Sequence, residues 1–365
     1  MIYRVIGIMS GSSLDGLDIA FAELDESGGK WSYELKASKC IPYSTDLQKK
    51  LENASRASAY NYLLLHTSFG KYIGEQVNHF IEKYDLHHQV QLIASHGHTV
   101  FHAPQMNMTA QLGDGAAIAA VTEINVVSDL RSMDVAFGGQ GAPIVPVGEK
   151  LLFPDFDFFL NIGGIANVSW KAAEGYTAFD VCAANRVLNM LAQMIGQPFD
   201  DDGKMAASGK INTPLLNRLN SISYYTQPFP KSLANTFGTD EIFPLVQSSG
   251  VSLKDQLRTY IEHIAMQVGY ALQTMISNET RQNAQLMVTG GGAFNKFLME
   301  RLQHVLQPLS IIATVPDAMI VNYKEALIMA LIGTLRWREE YNVLHSVTGA
   351  TRSSIGGAVW IGQEA

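Results

Sequence analysis

Several short segments of this chain pair glycine with acidic, hydroxyl or imidazole side chains at spacings that could do chemistry. Gly7–Asp18 reads Gly-Ile-Met-Ser-Gly-Ser-Ser-Leu-Asp-Gly-Leu-Asp. Small residues at 10–13 let backbone amides converge on an anion. Ser12 and Ser13 add hydroxyl donors, and Asp15 and Asp18 could orient the waters of a Mg²⁺ ion. The same residues would also serve an ordinary hairpin turn. The run is not a Walker A loop, because no G-x-x-x-x-G-K-[ST] occurs in the chain. Asn161–Ser169, with Gly163-Gly164 inside it, is a second Gly-turned hairpin. Val288–Asn295 places Gly290-Gly291-Gly292 between a strand and a helix, where a flat or anionic ligand could approach bare backbone.

Asp180 ends the strand-like run Tyr176–Phe179. A carboxylate there could take a proton from water or a hydroxyl during phosphoryl transfer, or simply cap the next helix. His96, His98 and His102 in Ser95–His102 have the look of metal ligands. No H-E-x-x-H helix accompanies them, and histidines that hydrogen-bond a sugar fit equally. Asp114 lies in Gln111-Leu-Gly-Asp-Gly-Ala116, and Arg131 in Ser128–Asp134. Arg131 could grip a carboxylate in bidentate fashion or pair with Asp129 or Asp134.

The elements that must position these groups follow from periodicity. Tyr3–Ile8, Leu17–Leu24 and Trp31–Ala37 read as an opening set of strands, followed by helix over about 45–85. Gln91–Ser95 and Asn125–Ser128 are buried strands, and Gly138–Pro143 is the richest turn cluster. Phe156–Ile162, Ala166–Trp170 and Tyr176–Phe179 then restart the strand pattern. Leu257, Tyr260, Ile261, Ile264, Val268, Leu272 and Met275 share one face of a helix over 255–276. Each half thus opens with strand, Gly/Ser turn and strand, which predicts an α/β protein of two related lobes, residues 1–140 and 141–365.

With 365 residues and 47% hydrophobic content, the chain can bury a large core without staples. A net charge of −8 argues against nucleic acid as a main partner. Cys40 and Cys182 alone cannot build a disulfide framework, which suits a reducing compartment. The most apolar late run, Ala326–Leu335, covers about ten residues, too few for a bilayer. The expectation is a cytoplasmic protein with no membrane or nucleic-acid partner.

Together these segments resemble the anhydro-N-acetylmuramic acid kinase family. The matching stretches are Met9–Asp18, Ser95–Thr99, Gln111–Gly115, Ser128–Arg131, Gly138–Pro146, Asn161–Asn167, Phe179-Asp180 and Thr289–Asn295. They occur in the family's order, from residue 9 to about 330. After Asp180 this chain has Val-Cys-Ala-Ala-Asn185 where the family has Thr-Gly-Pro-Gly-Asn, and His98 stands where Gln is usual.

The resemblance implies two ribonuclease-H-like, actin-like ATPase lobes with a central cleft. It implies Mg²⁺ and ATP as cofactors, an amino-sugar substrate and a homodimer. Asp180 matches the family's catalytic base, and Glu325 an assisting Glu. Gly11, Ser12, Ser13, Leu14, Asp15, Gly16, Leu17 and Asp18 match a first phosphate loop. Gly163 and Gly164, with Gly290, Gly291, Gly292 and Asn295, match the nucleotide side; His98, Asp114 and Arg131 fall on the sugar side. Two alternatives stay open: a metal-dependent hydrolase on His96, His98 and His102, and, from the Val181–Ala184 departure, a nucleotide- or sugar-binding module that has lost catalysis.

Overall fold

In the first unit, the apolar run Val5–Ile8 is buried on both faces, as a central strand must be. The structure, a computed structural model, describes residues 1–11, 14–172, 175–229, 231–234, 236–276 and 283–363. Strand β1 (Ile2–Ser10) pairs antiparallel with β2 (Gly16–Ser27), and β2 with β3 (Lys30–Pro42). Gly28 and Gly29 join β2 to β3 with φ of 61° and 81°, the geometry of a two-residue turn that matches strand twist. On the other side of β1 lies β4 (Leu92–Ala103), parallel to it, with β5 (Met108–Leu112) folded back on its end. Next comes β6 (Val126–Ser128), parallel to β4, and then a C-terminal strand, Ala358–Trp360.

The second unit repeats this plan. β7 (Phe158–Ile162), β8 (Ile165–Ala172) and β9 (Gly175–Ala183) form an antiparallel meander. β10 (Ala284–Thr289) and β11 (Ile311–Thr314) add on the far side of β7 in parallel. The orders β3-β2-β1-β4-β6 and β9-β8-β7-β10-β11 are one topology used twice, the ribonuclease-H-like arrangement. The helix Leu253–Met275 buries Leu257, Tyr260, Ile261, Ile264, Val268, Leu272 and Met275, as its period predicts. Each such side chain contributes about 1.5–3 kcal/mol through burial.

The division of the chain differs from the expected break at 140. The units are Met1–Pro154 with Tyr323–Ala365, and Asp155–Asn322. The reason lies in the helix Pro146–Leu152. Its Val147 and Leu152 are buried in the first unit, and Glu149 forms a 2.8 Å ion pair with Lys324 in which both side chains are almost fully buried. A turn-rich segment such as Gly138–Pro143 reports local chain reversal, whereas a unit boundary depends on where the next apolar face packs. The apolar run Ala326–Leu335 is also not an element of about ten residues. The run lies inside the helix Ala318–Trp337, 20 residues and long enough to cross a bilayer. Its most apolar window is instead 72% buried within the protein, as in a core helix.

Candidate active site

Asp180 sits on β9 opposite Asn167, directly after a register shift between Ala166 and Asn167. Such bulges re-aim a side chain. The backbone around it is fixed from outside the sheet. Asp180 N–H donates to the Lys231 carbonyl (3.1 Å), and Tyr224 Oη donates to the Asp180 carbonyl (2.6 Å). The Leu233 amide donates to Oδ2 at 2.9 Å. Among the described residues Oδ1 has no hydrogen-bond partner. Burial raises the carboxyl pKa, and the Leu233 amide partly opposes this. One oxygen is therefore anchored and the other is available, as a general base requires. The capping alternative fails: the helix Asn185–Gln193 begins after Ala184 and has no side-chain cap.

Lys231 supports the same loop. Its Nζ donates to the Tyr224 and Tyr225 carbonyls at 3.0 and 3.2 Å and lies over the Tyr224 ring, 4.6 Å from the centroid. Nothing in the spacing of Tyr224, Lys231 and Leu233 along the chain singles them out, because their connection to Asp180 is purely tertiary. Where the family pattern has glycines, Cys182 and Ala184 are fully packed in the core.

The glycines divide by what an added Cβ would meet. At Gly292 it would strike the Ile162 side chain; at Gly290, with φ of 80°, the Ile162 carbonyl at 2.8 Å. These two are demanded by packing. At Gly291 only Asn185 Nδ2 is near, at 3.6 Å. Gly163 and Gly164 likewise meet nothing closer than 3.6 Å among the described residues. Three bare positions, Gly163, Gly164 and Gly291, therefore exceed what folding needs. Asn185 links them, donating from its backbone to Gly163 O (3.0 Å) and from Nδ2 to Ile162 O (3.0 Å). Asn295, expected on a nucleotide, spends Oδ1 as the N-cap of the helix Lys296–Leu306, accepting from Leu298 N–H at 3.0 Å.

In the first unit, Ser12 and Ser13 lie outside the described residues. Gly11 and Leu14 are half-buried, and Gln48 Nε2 donates to the Leu14 carbonyl at 2.8 Å. A Cβ on Gly16 would come within 2.6 Å of the Ile41 carbonyl, and Leu17 is fully buried in the core. Neither has a side-chain position open to a ligand. Asp15 is exposed, and its Oδ1 accepts from Gly16 N–H at 3.1 Å. Asp18 has its pKa pushed up to about 6, mainly by burial; the Asp15 and Glu325 carboxylates add to this while a hydrogen bond with Cys40 opposes it. Burial also raises Glu325, against the charges of Lys324 and Arg131.

Arg131 forms neither of the expected bridges. Its Nε donates to His96 Nε2 at 2.8 Å. His96 Nδ1 faces the Gly97 carbonyl at 2.8 Å, so the ring is neutral with its proton on Nδ1. Its pKa falls to about 3, first through burial and then through the Arg131 charge. Asp134 instead accepts from Gly141 N–H (2.7 Å) and Thr348 Oγ1 (2.7 Å), and Asp129 from Ser132 Oγ. His98 Nδ1 meets Ser10 Oγ at 3.2 Å, and Tyr43 Oη donates to the same hydroxyl at 2.7 Å. Asp114 caps the helix Gly115–Thr122, accepting from Ala116 N–H at 3.0 Å. It also borders a cavity of about 340 Å³ with His66, His96, Gln111 and Trp360.

A family model described as anhydro-N-acetylmuramic acid kinase matches residues 3–362. The chain belongs to this family. A relative of that description from Hydrogenovibrio crunogenus is 33% identical over 368 residues, covering 97% of each chain. Another, from a Sulfurovum species, is 35% identical over 375 residues, covering 98% of this chain and 99% of its own. This kinase does not carry the alternative hydrolase site. Among the described residues no group of three His, Cys, Asp or Glu side chains is placed to hold a metal ion. Both nitrogens of His96 are already engaged, so the H-x-H spacing serves hydrogen bonding.

Proposed function

We propose that this kinase uses Mg²⁺ and ATP to convert 1,6-anhydro-N-acetylmuramic acid into N-acetylmuramic acid 6-phosphate. Water adds at the anomeric carbon, the bond from that carbon to the bridging oxygen breaks, and the freed O6 takes the γ-phosphoryl group, releasing ADP. Asp180 accepts the proton from the attacking water. The observation that carries the reading is its carboxylate, with Oδ2 held by Leu233 and Oδ1 unpartnered among the described residues. A base of this kind contributes about 10²–10⁴ in rate.

The bare positions Gly163, Gly164 and Gly291 support a nucleotide's phosphates, because backbone amides without side chains can approach an anion closely. Asp15 and Asp18 are the groups that fit Mg²⁺. The mutual repulsion of Asp15, Asp18 and Glu325, part of what raises Asp18, is relieved by a nearby cation. The ion, arriving with ATP, would screen the charge on the phosphates. Glu325 assists in the reaction, and His98, Asp114 and Arg131 act on the sugar. The working protein is a cytoplasmic homodimer.

The test is turnover with anhydro-N-acetylmuramic acid and ATP in ¹⁸O-labelled water. One ADP should form per sugar 6-phosphate, with the label at the anomeric hydroxyl. Unlabelled product, or phosphorylation of a plain hexose alone, would overturn the proposal.

A further inference from the structure

Arg186 follows Asn185 in the first turn of the helix Asn185–Gln193. Its amide N–H donates to the Gly164 carbonyl at 3.4 Å. Its side chain lies along the bare face of that glycine: Nε and Nη2 are 3.6 and 3.8 Å from where a Cβ on Gly164 would sit. On its other side, Cδ is 3.6 Å from the corresponding point on Gly238. The guanidinium is thus half-buried and held against the Gly163–Gly164 turn by its own stem.

It has no carboxylate partner among the described residues. Three other cations of the second unit differ in this respect. Lys296 pairs with Asp202 at 2.9 Å, and Arg258 and Arg301 both pair with Glu262 at 2.9 Å. An unpaired guanidinium taken partly out of water is costly unless an anion arrives. Its planar fork suits phosphate oxygens. A second unfilled group ends the strand that leads into the Gly290–Gly292 turn. Thr289, 1% exposed and directly before Gly290, has a hydroxyl with no hydrogen-bond partner among the described residues. Asn185, adjacent to Arg186, is the residue whose amide nitrogen approaches Gly291.

We infer that Arg186 is the side chain that grips the phosphate chain of the nucleotide over the Gly163–Gly164 turn. This rests on the proposed use of ATP and adds to it a specific cation. Asp180 does the proton transfer; Arg186 fixes the phosphates and sets the preference for a nucleotide over the uncharged nucleoside. A lone Arg in a helix is ordinary and carries no signal in the sequence. Only its placement across a bare glycine turn, without a counter-ion, distinguishes it.

The experiment is calorimetric titration of the full chain with adenosine, ADP and a non-hydrolysable ATP analogue, for the native protein and for Arg186→Ala, Arg186→Gln and Arg186→Lys. Loss of the guanidinium should weaken ADP and the analogue by about ten- to hundredfold, the worth of one or two charge-assisted hydrogen bonds. Adenosine affinity should not change. KM for ATP should rise while KM for the sugar stays, and Lys should recover part of the loss. Arg186→Gln, which keeps the bulk and a donor, guards against misfolding of the Ala variant. Equal losses for adenosine and ADP, or no loss for either, would sink the role of Arg186 and leave the kinase reading intact. If the native protein bound none of the three ligands, the ATP reading would fall first, and this inference with it.

Discussion

The two units share one strand topology but put different chemistry at the same place in it, the turn after the first strand. In the first unit, carboxylates stand just before β2, at Asp15, and near its start, at Asp18. Asp15 is exposed, Asp18 is raised to about 6, and Gly16 is required because β3 backbone leaves no room for a Cβ. In the second unit, the turn between β7 and β8 carries no charge of its own. At Gly163 and Gly164 a Cβ would meet nothing closer than 3.6 Å among the described residues, and a cation, Arg186, comes from a helix that begins 21 residues later, at Asn185. The same frame therefore presents an acidic turn in one unit and a bare, cation-backed turn in the other. A ribonuclease-H-like sheet fixes where a first-hairpin loop emerges. It does not fix what that loop binds.

The largest effect expected from disturbing this asymmetry is at Asp180. Asp180→Asn should cut turnover by about 10²–10⁴ while ATP binding persists. ADP release measured at the native rate would remove Asp180 from the chemistry. Next come two buried histidines, one per unit. His96 and His263 both have pKa values lowered to about 3 by burial. A lowered folded value means the unfolded chain takes up the proton first. Stability should therefore be constant above pH ~6.5 and fall by about 1.4 kcal/mol per pH unit per histidine below it. Denaturant titrations from pH 7 to 4 would read this slope, and a flat profile would contradict it.

A smaller and more pointed contrast is between Gly16 and Gly163. Gly16→Ala should destabilise by about 1–3 kcal/mol through overpacking. Gly163→Ala should leave the melting temperature unchanged but raise KM for ATP. If both altered stability alike, the distinction between packing-required and bare glycines would fail.

The smallest effect concerns Asp18. Its folded pKa is raised, so the folded chain holds the proton between pH ~3.8 and ~6 while the unfolded chain has lost it. Ionised Asp18 thus lowers stability, a penalty complete above pH 6 and absent below pH 3.8. Asp18→Asn should stabilise the metal-free protein by about 1–2 kcal/mol at pH 7.5, with the gain fading toward pH 4. A gain that persisted at pH 4 would point to packing and away from charge.

Much of this was legible in the chain. Seven apolar positions at the helical period placed the helix Leu253–Met275, and Gly-Gly at 28–29, 163–164 and 290–291 marked turns between or after strands. Asp180 stood out because a carboxylate ends a strand-like run. The sequence could not separate its possible roles. Capping was excluded only once the helix was seen to start at Ala184/Asn185, and the base role gained support only when Leu233 was found on one oxygen. The histidines show the reverse: H-x-H spacing suggested a metal, but Arg131 and the Gly97 carbonyl occupy both nitrogens of His96.

Local order determined itself from the sequence, because strand alternation, helical period and turn residues act over a few positions along the chain. The tertiary structure decided which glycines are tightly packed, and it left one oxygen of Asp180 and the guanidinium of Arg186 without a partner among the described residues. Those properties depend on atoms that may lie 50 residues or more apart in sequence, as Leu233 and Asp180 do, with a separation of 53. No local pattern can encode a distance of that kind. It arises only when burial brings the segments together and leaves a polar atom without water.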